Sequence, residues 1–540
     1  MKIKAPSDPG ALWKDCDRAF NDRRGWDCLI KEVYDQILVY RDPDAAKGAD
    51  RLNHLFDSTA VSSSMRFAGR LKNDIAPSLQ TFFELELGPA AKRAVPDEAG
   101  RQELQRELSE ISDAAGAAMN SPMFDGALAE MCIDLTAGQG AMLISDGDED
   151  DPVIFEAVPA VDIALVEGRG GRVERIYYPK KWPIREIASR WPDAAKGKGQ
   201  HRLPKSMMEA LEKGGDDAEV EREVRQATVW DGENRRWVTS VLVQDDDGDE
   251  SGVVLIFREQ SRKCPWLTPR FYKIPGEVMG RGPAMMALPD VRVANKTVEL
   301  TLRAAALAIL GLWTRTQTMN AGGTLNLSRL APGSMIPVQS NGGPRGPELQ
   351  ALDVPKNFDL SSILLNEYRE RIRELLFDRP IPASKGQTPL SASQVIEHIR
   401  VYAEDLAVVY GRFVKEIIVP AVDRVIEILF NRQLLKTSVS IDQLYTALKV
   451  VSPLADAQNM KEVQRVVQWL EITGQLIGQE LTAMAAKVED LPRWLASKLG
   501  VPIDLVRNVT EKEQIEAVVA ELVKAQIAKL QQQEPAAKAA

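Results

Sequence analysis

The sequence predicts an α+β chain that is mainly helical, and three observations carry that prediction. Apolar residues recur three or four apart across 290–319, where Val291, Ala294, Val298, Leu302, Ala305 and Ile309 share one helical face. Between 140 and 258 the spacing switches to period two, the signature of half-buried strands. Beyond Ser452 the helical spacing returns for almost the whole remainder of the chain.

Amphipathic spacing predicts helices over 11–21, 26–40 and 59–86, then a charged helix over 97–119 and another over 125–137. Strands follow at 140–144, 153–158, 163–167 and 172–178, with Gly168-Arg169-Gly170-Gly171 as a hairpin turn, and 184–191 reads as a short helix. The stretch 196–217 is polar, rich in lysine and broken by glycines, and reads as an exposed excursion. The clearest strands, 226–230, 237–244 and 252–258, are joined by polar turns and predict an antiparallel meander.

A rigid junction follows: Pro275-Gly276-Glu277-Val278-Met279-Gly280-Arg281-Gly282-Pro283-Ala284-Met285-Met286-Ala287-Leu288-Pro289-Asp290. Its glycines permit positive φ, its prolines fix φ near −65°, and Pro283 is placed to open a helix. The 290–319 pattern supplies that helix, about 45 Å long at 1.5 Å per residue. From 320 to 357 glycine and proline punctuate short apolar pieces, so a β-rich loop module is expected. Helical spacing resumes over 360–377 through Ile363, Leu364, Tyr368, Ile372 and Leu375, so two helices flank the module, which must project from the rest. A proline-stiffened loop at 379–390 leads to Ser391, an N-cap for a helix over 392–433 that Pro420 should kink. The C-terminal part reads as helices over 460–475, 480–488, 491–499, 503–508 and 512–533.

Composition narrows the function. A chain of 540 residues with 44% hydrophobic content is large enough for several packed substructures. No secretory leader is expected from the charged start, and the apolar run 304–313 is too short to span a bilayer. Cys16, Cys28, Cys132 and Cys264 lack zinc or disulfide-scaffold spacing, and His54, His201 and His398 read as unrelated structural or surface residues. There is no phosphate-binding loop. The acidic run 146–151 lacks the glycine and the closing glutamate of a calcium loop, and reads, like 245–250, as a solvated turn. No catalytic residue, metal or cofactor is expected.

The net charge of −10 argues against a basic-patch nucleic-acid binder. Many phosphate contacts would grip DNA, whereas an acidic or mixed lining with a few cations such as Arg371, Arg373, Arg379 and Lys385 suits passage. The same cations serve equally well as subunit-interface ion pairs, and the residues leave both readings open.

Three strings together resemble the portal protein, or head-to-tail connector, of short-tailed bacteriophages. They are Asp57-Ser58-Thr59-Ala60 with the helical stretch 66–79, the junction 275–290 with Asn295, and Ser452-Pro453-Leu454-Ala455 with Ala457-Gln458. The resemblance implies the phage portal fold with wing, stem, clip and crown, assembling as a dodecameric ring with a central channel, about twelve subunits closed by head-to-tail contacts. It places the wing body at 1–288 and 392–451, stem helices at 289–319 and 359–378, the clip at 320–358, a channel loop at 379–391 and a helical crown at 452–540. Arg379, Pro380, Lys385 and Gln387 of the channel loop would lie near DNA. Leu325, Leu327, Arg329, Met335 and Arg345 of the clip would dock the terminase or tail adaptor, while Gly280, Arg281, Gly282, Pro283, Pro289 and Asp290 form a structural family motif.

The implied role is mechanical and non-enzymatic: a ring at one capsid vertex of the virion, made in the host bacterial cytoplasm, through which double-stranded DNA is packaged and ejected. Implied partners are other copies of the chain, major capsid and scaffolding proteins, the terminase large subunit, tail adaptor proteins and internal ejection proteins, with no membrane. The alternatives are another ring-forming head–tail adaptor and a carboxylate-dependent soluble hydrolase, for which no spacing picks out a pair.

Overall fold

A computed structural model describes residues 8–41, 43, 54–78, 81–95, 97–197, 201–245, 252–310, 312–316, 335–338, 349–352, 358–378, 406, 409–437, 439–451, 453–477, 491 and 494–495. The chain divides into two compact units, 1–449 and 450–540.

Helix α1 (Pro9–Asp22) begins with proline in its first turn, and its N-cap Asp8 accepts the Ala11 N–H at 3.1 Å. Arg23 alone separates it from α2 (Arg24–Gln36). The Arg23 guanidinium donates to the Ala160 carbonyl at 3.2 Å and to those of Val161 and Ile163, so this one side chain pins the α1–α2 corner onto the sheet region.

The helix expected over 59–86 is two elements. Helix α3 (Thr59–Ile75) stops just before Pro77, and β1 (Phe83–Leu87) is a strand that buries Phe83, Leu85 and Leu87 while Glu84 and Glu86 face outward. Helices α4 (Pro89–Ala94), α5 (Glu98–Met119) and α6 (Pro122–Ala137) follow. Ser121 caps α6 by accepting the Phe124 N–H at 3.2 Å.

Strands β2 (Met142–Asp146) and β3 (Val153–Ala157) pair antiparallel across the predicted acidic turn. Strands β4 (Ala164–Glu167) and β5 (Val173–Pro183) form the predicted hairpin. After α7 (Ile184–Arg190), α8 (Pro192–Ala195) and α9 (Lys205–Lys213) come β6 (Glu221–Asp231), β7 (Arg236–Gln244), β8 (Val253–Ser261) and the short β9 (Trp266–Leu267). The sheet β4-β5-β6-β7-β8 is antiparallel throughout, and β9 adds to β2.

Alternation along the strands sends side chains to both faces of this sheet. Tyr177, Ala227, Val229, Val238 and Leu242 pack with Leu12, Cys16 and Ala19 of α1. Tyr178, Val224, Val241 and Val243 pack on the other side with Trp182, Trp266, Leu203 and Met207. The last two correct the exposed reading of 196–217: the segment is polar overall, yet α9 seats Met207 and the preceding Leu203 in the core.

Helix α10 (Pro283–Leu310) opens on the predicted proline and carries Pro289 within its length. It ends earlier than the apolar period suggested, because β10 (Leu312–Thr316) is a strand. Gly311 is a poor helix former, and Trp313, Thr314 and Thr316 are strand-favouring residues with strand partners at hand. Those partners are β11 (Met335–Val338), parallel to β10, and β12 (Leu349–Leu352), antiparallel to it. Helix α11 (Phe358–Leu375) returns.

A π turn over Val414–Ile418 leads into α12 (Val419–Asn431). Pro420 has no N–H and its ring would meet the carbonyl of Glu416, so the backbone widens there and the helix continues, where a kink was expected. Strand β13 (Thr446–Val450), which the sequence did not announce, pairs with β1. In the second unit α13 (Pro453–Ile477) starts on the proline of the third string and exceeds the predicted 460–475. The predicted channel loop, the helix over 392–405 and the helices over 480–488, 503–508 and 512–533 lie outside the described residues.

Candidate functional site

The glycine junction is a place where two backbones cross with no room for a side chain. A Cβ on Gly280 would sit 2.2 Å from the Gly138 carbonyl oxygen, and one on Gly282 would sit 2.2 Å from that of Thr136. Gly138, which ends α6 with φ +132°, would bring a Cβ to 2.6 Å from the Arg281 backbone. Polar groups lock the crossing: Gln139 Nε2 donates to the Gly140 and Pro269 carbonyls at 2.9 and 3.1 Å, and Gly280 N–H donates to Gln139 Oε1 at 3.3 Å. The Trp26 indole N–H donates to the Gly280 carbonyl at 3.1 Å, and Phe271 N–H to that of Gly138 at 2.9 Å.

From this crossing Pro283 launches α10. Ala284, Ala287, Leu288, Val291 and Ala294 pack with Ile30, Val33 and Tyr34 of α2, with Ile37 just beyond its end, and with Ile372 of α11. The small alanines let the helix lie close to its supports. Further along, Asn295 reaches the first string: its Oδ1 accepts the Phe56 and Asp57 N–H groups at 2.6 and 3.3 Å. Asp57 in turn accepts the Thr59 N–H at the start of α3 at 2.9 Å and Arg369 Nε of α11 at 2.8 Å. Burial pushes the Asp57 carboxyl up, but the bonds from Thr59 and Arg369 outweigh it and hold the group below the usual carboxylate range. Thus α3, α10 and α11 meet through two side chains of the first two strings and one arginine that the strings do not include.

Behind the crossing lies a buried charge network. Arg270, 5% exposed, pairs with Glu167 at the end of β4 and with Glu416 of the π turn at 3.1 Å, while its own N–H donates to Glu416 at 2.9 Å. Lys273 adds a second cation to Glu167 at 2.6 Å. Asp134 of α6, fully buried, accepts from the Tyr34 hydroxyl and from Arg41, each at 3.1 Å. Burial raises its carboxyl to about 6 against the pull of Arg41.

The predicted site residues divide sharply. Gly280, Arg281, Gly282, Pro283, Pro289 and Asp290 all lie at the junction and the first turns of α10. Arg281 is tied to Glu277 at 2.6 Å, and Asp290 lies 3.9 Å from Arg371. Arg371 and Arg373 both find partners within the subunit, Arg373 pairing with Glu370 at 2.5 Å. Met335 opens β11 opposite Trp313. Leu325, Leu327, Arg329 and Arg345, and Arg379, Pro380, Lys385 and Gln387, lie outside the described residues.

Sequence reasoning missed Arg270, Gly138, Gln139 and Arg369. Only Gly138, at the end of a predicted helix, carried a local signal.

Among the described residues no group of three or more His, Cys, Asp or Glu could hold a metal, and no helix is long and apolar enough to cross a membrane. Burial pushes the Cys16 and Cys132 thiols up to about 12, far from the reactive thiolate. His54 is engaged with the Asp35 carbonyl at 2.8 Å.

Exposed apolar side chains occur in many places among the described residues, and α10 and α11 carry several of them. Leu300, Leu302 and Ile309 of α10 and Ile363 and Leu364 of α11 are exposed, Ile309 to 82%.

A family model described as bacteriophage head to tail connecting protein matches residues 11–506. The chain belongs to that family. No curated protein matches the sequence. Among solved structures, a chain of the virion of a native gene transfer agent particle is 11% identical, over 83% of this chain and 95% of that one, with a TM-score of 0.33. A chain of the neck of an empty gene transfer agent particle is 11% identical over 79% and 92%, with a TM-score of 0.32.

Proposed function

We propose that the chain is a non-enzymatic portal subunit of a short-tailed phage, one of about twelve in a closed ring at a single capsid vertex. Double-stranded DNA enters and leaves through its channel. Membership of the head-to-tail connecting family across 11–506 carries this reading. The succession α10, three-stranded module, α11 supports it. In this reading α10 and α11 build the stem, with the body of 1–288 and 392–451 as the wing around them. The clip is the β10–β12 module and its connections within 320–358, the channel loop is 379–391, and 452–540 is the crown inside the capsid.

Apolar side chains left in water along α10 and α11 are the kind of surface that a neighbouring subunit covers. The clip docks the terminase during packaging and the tail adaptor afterwards. Deleting 322–352 tests that assignment: the subunit is expected to stay folded, with unchanged far-UV dichroism, and to lose capture of the terminase large subunit. Retained capture would reject the docking role.

A further inference from the structure

The end of α11 holds an aromatic residue in a conformation that normally belongs to glycine. Phe377 has φ +54°, in the left-handed region where a bulky side chain is strained. The turn around it is nonetheless a complete helix cap. Asp378 N–H donates to the Arg373 carbonyl at 2.8 Å and Phe377 N–H to that of Glu374 at 3.1 Å, the paired bonds of a left-handed C-terminal cap in which glycine usually occupies the position of Phe377.

Two supports, both reaching over from α3, hold this cap. The Phe67 ring stacks on Phe377 at 5.3 Å between centroids, with Phe271 at 6.2 Å on another side. One residue on, Asp378 is 1% exposed, and among the described residues the cations at its carboxylate are Arg66, which donates to Oδ2 at 3.4 Å, and Arg70 at 3.8 Å. Those arginines stand one turn apart on α3 and are 63% and 43% exposed. Asp378 Oδ1 has no hydrogen-bond donor among the described residues.

The balance is therefore lopsided. A buried carboxylate needs its cations, because removing them leaves an uncompensated charge in a low-dielectric place. Its cations, however, are carried on half-exposed side chains, where salt screens them and other anions compete for them. Backbone strain at Phe377 adds a constant bias toward release.

We propose that the C-terminal turn of α11 is a two-state latch. It is closed while Arg66 and Arg70 neutralise Asp378 and Phe67 clamps Phe377. It opens when the two arginines are drawn off, on which Phe377 leaves the left-handed region and Asp378 moves to water. Such an element turns a change of charge on the outer face of α3 into a change at the end of one of the two long helices. The latch does not depend on the ring reading.

Hydrogen exchange on the full-length protein, read by mass spectrometry, tests it. Protection at 376–378 is expected to fall about tenfold or more in the Arg66→Gln/Arg70→Gln double variant, and likewise for the unaltered protein in roughly 0.5 M KCl, while protection at 366–372 is unchanged. Both substitutions are on exposed side chains, so the fold should persist. Asp378→Asn removes the charge that the arginines answer and keeps the Phe67–Phe377 stack, so it should make protection at 376–378 insensitive to losing the arginines. Segments 376–378 and 366–372 responding together, or no response at either, would overturn the latch, as would an Asp378→Asn variant that responds like the original.

Discussion

Asn295 Oδ1 accepts the N–H of Phe56 at 2.6 Å across 239 residues of sequence. With the neighbouring Asp57–Arg369 bond it ties α10, α3 and α11 into one frame. The long helices are thus held by specific polar bonds at their body end, while their apolar side chains further out stay in water. That division suits a helix pair anchored in one subunit and covered by another.

Replacing Asn295 with leucine removes the acceptor for two backbone N–H groups and leaves them without a protein partner. A loss of about 1–3 kcal/mol is expected from denaturant unfolding. Asn295→Asp keeps the acceptor and should cost less. Equal midpoints for the original and the leucine variant would contradict the clamp.

The glycine crossing predicts a contrast between positions. Gly280→Ala and Gly282→Ala each drive a Cβ to 2.2 Å from a backbone oxygen, so two chain segments must separate. Destabilisation of several kcal/mol or failure to fold is expected. Gly276→Ala, at φ +87° with nothing within 4 Å, meets only the conformational penalty, about 1 kcal/mol. Soluble yield and thermal midpoint report the difference.

Asp57 and Asp134 predict opposite responses to acid. The Asp57 carboxyl lies below its unfolded value, so its contribution is present above about pH 4 and is lost as pH falls further. Asp134, raised to about 6, binds a proton more readily when folded, so its contribution is present below about pH 4 and is lost as pH rises through 6. Unfolding free energies compared at pH 5 and 7 should show Asp134→Asn removing a fall of about 1 kcal/mol between the two. An unchanged slope would show that Arg41 keeps the group ionised throughout.

Leu300→Glu together with Leu302→Glu places charge on exposed apolar positions of α10. The subunit should unfold within about 0.5 kcal/mol of the original, since little is buried there. Assembly into rings, followed by sedimentation, should be lost. Rings of normal size would remove this face from the interface.

How much of this was legible depended on whether the signal was local. Period-two alternation in β5 to β8 and the proline signal that opens α10 are written within a dozen residues each, and those elements stand near their expected places. Residues 83–87 carry the same alternation, Phe83, Leu85 and Leu87 against Glu84 and Glu86, yet a strand there makes sense only once β13, far away in sequence, lies beside it. At 312–316 the apolar helical period runs straight on into a strand whose partners, β11 and β12, lie beyond stretches of glycine and proline. Within the site, the strings containing Asn295 and Asp57 were visible, but their mutual bond was not. Arg270, Glu167 and Glu416 share no spacing at all; only the folded chain brings a charge from a loop, a strand end and a π turn together.

The most direct test of the central claim is electron microscopy of the purified full-length protein, with end-on views classified for symmetry. The account predicts closed rings of about twelve subunits around a central hole. Monomers or dimers of the 59.7 kDa chain, persisting across concentration and salt, would contradict it.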